Sequence, residues 1–299
     1  MSDAELDKII NKVEKERKVF VKKSALDTST QPTKIVSRVN EVEKIVRFLY
    51  DYKQEQVVPL LSIYGRSGTG KSTIMRHVCN YIPEIKLCFA NLRKAKTVFG
   101  GVNLILNELD QPSLTSAQGM NNGMQKIKET ILNTMNAEQK KLFVLALDEF
   151  DVIFDDKRGN PSDFVYKLVQ MQAELKEKGC LSMIVTISND VLSDYDLDDR
   201  IKSRIGNSEI FFKPYSKVKM LQILRQRAEE AFGKKIDDKV LEQCARVSFL
   251  EHGDARRAVD LLRVSAEIAA KENKDIAIEH IKSASKQIQK DRVDEVISS

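Results

Sequence analysis

Five short apolar runs, Leu60–Tyr64, Ile85–Ala90, Leu142–Leu147, Ser182–Ile187 and Glu209–Phe212, punctuate the middle of the chain. The stretches between them carry helical periodicity. Each run has the length of one strand, and strands that alternate with helices need crossover connections. The sequence therefore predicts an α/β domain built on a parallel sheet of five strands. Lys213-Pro214-Tyr215 ends the alternation. Beyond it only helical segments are expected, near 216–232, 238–248, 254–272 and 276–292. The expected divisions are an N-terminal arm and linker over 1–33, a core over 34–213, and a small all-helical domain over 214–299. In the arm, charges alternate with Leu6, Ile9, Ile10 and Val13 at helical spacing up to Lys22-Lys23. The polar stretch "LDTSTQPT" follows as a linker, and Asn40 is a candidate N-cap for a helix reaching Tyr52.

With 42% hydrophobic and 31% charged residues among 299, the chain has the make-up of a soluble globular protein. No apolar run approaches the roughly 18 residues of a membrane span, and the N-terminus lacks a signal-peptide apolar region. A cytoplasmic protein without a membrane partner is the expectation. Cys79, Cys88, Cys180 and Cys244 are scattered, as are His77, His252 and His280. This spacing argues against zinc and disulfides and for reduced, buried thiols. A net charge of +5 is compatible with nucleic-acid binding without arguing for it.

Gly65-Arg66-Ser67-Gly68-Thr69-Gly70-Lys71-Ser72 fits the phosphate-loop pattern G-x-x-x-x-G-K-[ST] and sits between an apolar run and an apolar-periodic helix. The glycines let the loop close on an anion with its N–H groups pointing inward, and the helix N-terminus adds partial positive charge. Lys71 would reach the β- and γ-phosphates of ATP or ADP, and the Ser72 hydroxyl would bind Mg²⁺. The run Leu142–Leu147 ends in Asp148-Glu149. Asp148 can hold Mg²⁺, and Glu149 is set to orient or deprotonate a water attacking the γ-phosphate. The further acids Asp151, Asp155 and Asp156 read as loop solvation. Asn189, at the tip of the fourth run, is a candidate to bond the γ-phosphate or the attacking water, and a turn-forming Asn suits the same spacing.

The set "GRSGTGKS", "LALDEFD", "VTISND", "LDDRIKSRIGNSEIFFKPY" and "EHGDARRAVDLLRVSAEIA" resembles the AAA+ replication initiators of the origin-recognition-complex and cell-division-cycle type, the archaeal members in particular. It runs in order from about Lys34 to Ile297, and "GDARRAVDLLR" is its most specific part. The resemblance implies a P-loop AAA+ core of the ASCE type, a helical lid, and ATP bound between them. By position, Asn189 matches the family's first sensor, and Arg256 matches its second, a lid arginine on the γ-phosphate. Arg257 faces the lid surface. Tyr215 and Arg227 match lid-side nucleotide contacts, Ile35 and Val36 the segment near adenine, and Gly65, Ser67, Gly68, Thr69, Gly70, Lys71, Ser72 and Thr73 the phosphate cradle. From the residues alone, "GDARRA" reads as an ordinary helix start with two solvated arginines.

Arg200 and Arg204 share one helix face by their i, i+4 spacing. They match the region where the family carries an arginine finger for a neighbouring subunit's ATP. The resemblance assigns the trans role to Arg204 and a tethering role to Arg200. The chain departs from the family in two places. Ser37-Arg38-Val39 stands where relatives have His-Arg-Glu, and the sequence stops at Ser299 where relatives continue into a winged-helix DNA-binding domain, which is either truncated here or absent or separately encoded. DNA contact then falls to Pro112–Lys126, which matches the family's initiator-specific insertion. Gln118, Asn121 and Asn122 there could touch phosphate and sugar. The alternative for this segment is a surface loop with a capping signal at Thr115-x-x-Gln118. The expected function is an ATP-dependent replication initiator with slow ATPase turnover, binding double-stranded origin DNA, another AAA+ initiator subunit and the replicative helicase. A nucleotide-locked DNA-binding scaffold and a clamp-loader-like AAA+ ATPase are the competing readings.

Overall fold

The computed structural model describes residues 5–7, 10, 19–58, 60–95, 97–199, 201–202, 208–250 and 253–298, with side chains to residue 291. Two compact units emerge: Arg38–Lys213, and Met1–Ser37 together with Pro214–Ser299.

The first unit carries strands β1 (Leu60–Tyr64), β2 (Ile85–Asn91), β3 (Leu142–Asp148), β4 (Ser182–Ser188) and β5 (Glu209–Phe211), with helices α1 (Val39–Tyr50), α2 (Lys71–Tyr81), α3 (Val98–Glu108), α4 (Gly119–Glu138) and α5 (Pro161–Glu177). The sheet is parallel throughout, in the order β2-β3-β4-β1-β5. All seven residues of β3 and all seven of β4 are buried, as central parallel strands covered on both faces require. The register pairs Tyr64 with Ser188, Asp148 with Ile187, and Asn91 with Asp148. The carboxyl ends of β1 to β4 therefore line up along one edge, where ligands bind in open parallel sheets.

The helices start on identifiable caps. Asn160 Oδ1 accepts from Asp163 N at 2.9 Å ahead of Pro161, and Thr97 Oγ1 accepts from Gly100 N at 3.0 Å. Helix α1 is capped differently. Arg38 has φ 76° at its N-cap, and its guanidinium is buried, 2.7 Å from Glu41 and over the Phe212 ring at 5.3 Å. It also donates to the Lys213 carbonyl. One side chain thus joins the first residue of this unit to its last.

The second unit packs α6 (Lys217–Phe232), α7 (Asp238–Leu250), α8 (Ala255–Lys271) and α9 (Ile278–Ser298) around Met220, Leu224, Leu241, Leu262 and Ile281. The N-terminal segment packs with these helices. Ala25 and Leu26 are buried in their core, and the N–H groups of Val21 and Lys22 donate to the Ala231 carbonyl at 2.8 and 3.0 Å. Of the arm's apolar residues, Leu6 and Ile10 are exposed, and Ile9 and Val13 lie outside the described residues.

All four cysteines are free and buried, and burial pushes the thiols of Cys79, Cys88 and Cys244 up to about 12. Among the described residues no helix is long and apolar enough to cross a membrane.

Candidate active site

The loop between β1 and α2 is shaped by backbone that favours glycine. Gly65 has φ 140°, and a Cβ there would meet the Phe212 carbonyl oxygen at 2.4 Å. Gly70, at φ 91°, caps α2. Thr69 is buried and its hydroxyl donates to the Arg66 carbonyl at 2.8 Å, closing the turn. Lys71 opens α2, and its ammonium donates to the carbonyls of Gly65 and Arg66, the latter at 3.0 Å. The cation is held over the loop whose N–H groups an anion would meet. Ser67, Gly68, Ser72 and Thr73 lie in the same loop and the first turn of α2.

Asp148, the last residue of β3, is buried, and both its oxygens are engaged. Ser72 Oγ donates to Oδ1 at 2.8 Å, and Asn91 Nδ2 donates to Oδ2 at 3.1 Å. Asn91 closes β2 and also accepts from Arg93 N at 3.1 Å. Glu149 follows with φ 52°, a left-handed turn at a non-glycine residue of the kind that collects at functional sites. Its carboxylate lies 3.7 Å from Arg93 Nη1. Asn189, one residue past β4, donates through Nδ2 to Asp151 Oδ2 at 2.9 Å.

Lys71, Ser72, Asp148, Glu149 and Asn189 thus share one unit and the aligned strand ends. Sequence reasoning passed over Asn91 and Arg93 and read Asp151 as loop solvation, whereas its carboxylate accepts from Asn189. A polar residue at the tip of β2 was a usable signal for Asn91, whereas nothing in the sequence distinguishes Asp151 from its acidic neighbours. Asp156 does not serve loop solvation: its Oδ2 accepts from Val98 N at 2.9 Å, capping α3.

The other expected site residues lie in the second unit or outside description. Tyr215 is buried in that unit's hydrophobic core. Arg227 is buried as well, and its guanidinium donates to the carbonyls of Ala25 and Thr30, both at 3.0 Å. Burial holds its pKa below the usual arginine value, opposed by Glu230 and Asp27. The neighbouring Gln226 donates to the Lys34 carbonyl at 2.8 Å, so α6 grips the segment that leads to the half-buried Ile35 and the exposed Val36. Arg256 sits in the first turn of α8, its side chain half exposed and its N–H capped by Asp254 Oδ1 at 2.8 Å. Arg200 and Arg204 lie outside the described residues. Thr115 and Gln118 form the expected capping box, with Thr115 N donating to Gln118 Oε1 at 2.9 Å, and Asn121 and Asn122 are exposed in the first turn of α4.

A P-loop at the carboxyl edge of a five-stranded parallel sheet, with an acidic pair at the end of β3 and a separate helical unit, is the architecture of the AAA class. Family models agree with this class. The model of the ATPase family associated with various cellular activities (AAA) matches residues 61–211, and that of the Cdc6 AAA+ ATPase-type lid domain matches 221–286. The chain is 31% identical over 300 residues to the ORC1-type DNA replication protein of Desulfurococcus amylolyticus, covering 96% of this chain and 73% of that one. It is also 31% identical over 312 residues to ORC1-type DNA replication protein 1 of Sulfolobus acidocaldarius, covering 100% and 74%. The solved Aeropyrum pernix ORC1 protein, in complex with DNA, matches with a TM-score of 0.78 at 28% identity over 94% of this chain and 72% of that chain. The Aeropyrum pernix ORC2 protein, solved in ADPNP-ADP complexes, shares the fold with a TM-score of 0.76 at 20% identity, over 89% and 71%. The chain belongs to the ORC1-type DNA replication protein family of AAA+ replication initiators.

Proposed function

We propose that the chain is an ATP-dependent replication initiator: a slow ATPase whose nucleotide state controls its hold on origin DNA and its assembly with another AAA+ initiator subunit. The observation that carries the reading is the convergence of Lys71, Ser72, Asp148, Glu149 and Asn189 at the carboxyl edge of one sheet.

The donor set fits Mg²⁺. A serine hydroxyl and a buried carboxylate 2.8 Å apart are hard oxygen donors, and no cluster of three or more His, Cys, Asp or Glu able to hold a metal occurs among the described residues. That poverty of protein ligands suits an ion carried largely by water and substrate phosphates. Bound Mg²⁺ supplies charge neutralisation at the phosphate oxygens, and Ser72 and Asp148 would hold it. The chain's own residues do the rest. The loop N–H groups and Lys71 bind the phosphates. Glu149 orients a water and takes its proton, while Asn189 bonds the water or the γ-phosphate. The ion pair with Arg93 competes with that water for the Glu149 carboxylate, which favours slow turnover.

Arg256 serves as the second sensor, Ile35, Val36, Tyr215 and Arg227 define the nucleotide's lid side, and Arg204, tethered by Arg200, reaches a neighbour's ATP. Double-stranded DNA meets Gln118 and, in the first turn of α4, Asn121 and Asn122; the Aeropyrum pernix relative was solved in complex with DNA. The Gln118 carbonyl is already used by its cap, which leaves the amide nitrogen for phosphate. A cytoplasmic, DNA-associated location and helicase recruitment follow from the same reading. The test is ATP turnover with and without duplex DNA. Glu149→Gln is expected to bind ATP like wild type and to lose hydrolysis about 100-fold or more. Wild-type turnover no faster than this variant in every assembly would leave the locked-scaffold reading standing instead.

A further inference from the structure

The acid two residues past Glu149 has an assignment of its own. Glu149 turns the chain through its left-handed conformation, and Phe150 and Ile153 then drive into the core, fully buried. Phe154 stacks on Tyr195 with ring centroids 4.2 Å apart. This short 3-10 turn, Phe150–Asp155, is therefore fixed by its apolar residues, and Asp151 cannot swing out to solvent as a loop acid would. Its Oδ2 accepts from Asn189 Nδ2 at 2.9 Å, across 38 residues of sequence, and its Oδ1 is buried with no hydrogen-bond partner among the described residues.

An amide side chain has two opposite edges, and coordinates by themselves often leave open which is nitrogen. Here chemistry decides. A carboxylate only accepts, so only the nitrogen edge of Asn189 can face Asp151. The Asn189 carbonyl oxygen is turned away, to where a donor such as an attacking water can use it. Without Asp151 the amide could rotate by half a turn at little cost, since the terminal torsion of Asn is broad.

We propose that Asp151 is a positioning residue for hydrolysis, fixing the amide of Asn189 so that its acceptor edge faces the reacting water. The inference rests on the reading of Asn189 as a sensor of ATP. Asp151 touches no reacting atom and acts through Asn189, so its effect belongs on the hydrolytic rate and not on ATP affinity.

The experiment is a double-mutant cycle on the full chain with duplex DNA, measuring kcat and ATP Kd for wild type, Asp151→Leu, Asn189→Ala and the double variant, with Glu149→Gln as background. Asp151→Leu is expected to lower kcat about 10- to 100-fold, the usual cost of losing a partner that orients a reacting group, with Kd within about twofold. The double variant is expected to match Asn189→Ala alone, because the carboxylate has nothing left to orient. Asp151→Asn keeps an acceptor and should recover part of the rate. Wild-type kcat in Asp151→Leu, or losses that multiply in the double variant, would overturn the inference while leaving the ATPase reading intact. Turnover by Asn189→Ala at the wild-type rate would remove the sensor itself, and the inference with it. A second readout is independent of turnover. The Asn189 side-chain amide resonance, assigned by its loss in Asn189→Ala, should show one hydrogen-bonded proton protected from exchange in wild type and unprotected in Asp151→Leu. An amide equally unprotected in both proteins would overturn the pairing whatever the ATPase result.

Discussion

Buried charge in this protein is matched by particular partners, and those partners give each charge its job. Asp148 receives one hydrogen bond on each oxygen, from Ser72 and Asn91, so its orientation is fixed before any ligand arrives. Arg227 shows the same principle with the sign reversed. Its guanidinium is buried and donates to the main-chain carbonyls of Ala25 and Thr30. Two carbonyls cannot neutralise the charge, but they satisfy its donors and tie the N-terminal segment to α6. Arg227→Met keeps most of the apolar stem and removes the donors, leaving the buried Ala25 carbonyl without this partner. We expect a loss of about 1–3 kcal/mol, the cost of a missing hydrogen bond to a charged group. Urea denaturation of the full chain measures it, and faster proteolysis within residues 19–34 locates it. An unchanged urea midpoint would mean that the segment is held by its other contacts, among them Ala25 and Leu26 in the core, the Ala231 carbonyl and Gln226.

Helix α3 owes its start to a residue on a distant turn. Thr97 satisfies Gly100 N, and Asp156 satisfies Val98 N. The hydrogen bond from Val98 is the main cause that holds the Asp156 carboxyl below its ordinary value, against partial burial, with help from the N–H groups of Arg158 and Gly159. A carboxylate whose folded pKa is depressed stabilises the fold above its unfolded value and loses that contribution as pH falls through the folded one. Asp156→Ala should therefore cost about 1 kcal/mol at pH 7, the usual worth of a helix cap. The gap to wild type should narrow as pH drops below about 4. Denaturant midpoints at pH 7 and pH 3.5 test both parts, and a gap that stays constant would assign the effect to packing. The capping role was hidden in the sequence because 58 residues separate the partners. The strands were legible for the converse reason. Parallel strands buried on both faces are largely apolar, so the central strands β1, β3 and β4 stood out as apolar runs, while edge strand β5 ends one residue earlier than expected, at Phe211. The P-loop, Asp148 and Glu149 were legible because their chemistry is local. Asp151 with Asn189 and Arg38 with Lys213 were not, since each pair meets only after the sheet has formed, across 38 and 175 residues.

The chain leaves the Arg38–Lys213 unit at both of its ends, and Arg38 bonds the Lys213 carbonyl there, so both exits are pinned by one side chain. Phe212, under that guanidinium, also places its carbonyl against Gly65, the first glycine of the P-loop. The P-loop is thus tied to the strand end that Arg38 pins, and its own unit offers it few positive charges. Lys71 contributes one, and Arg93 is already paired with Glu149. A loose phosphoryl-transfer transition state spreads charge over three oxygens, and an arginine supplied by a second subunit is a common way to meet it. Arg204, with Arg200 four residues before it, is the proposed donor. If it acts on a neighbour's ATP, Arg204→Ala leaves ATP binding by the single chain unchanged, within about twofold, and lowers hydrolysis in the ATP- and DNA-bound assembly by about 10-fold or more. Arg200→Ala, as the tether, should weaken the assembly more than it slows the assembled enzyme. Titration calorimetry on the single chain and turnover in the assembly separate the roles, because a cis arginine would reveal itself as lost ATP binding by Arg204→Ala without any partner present.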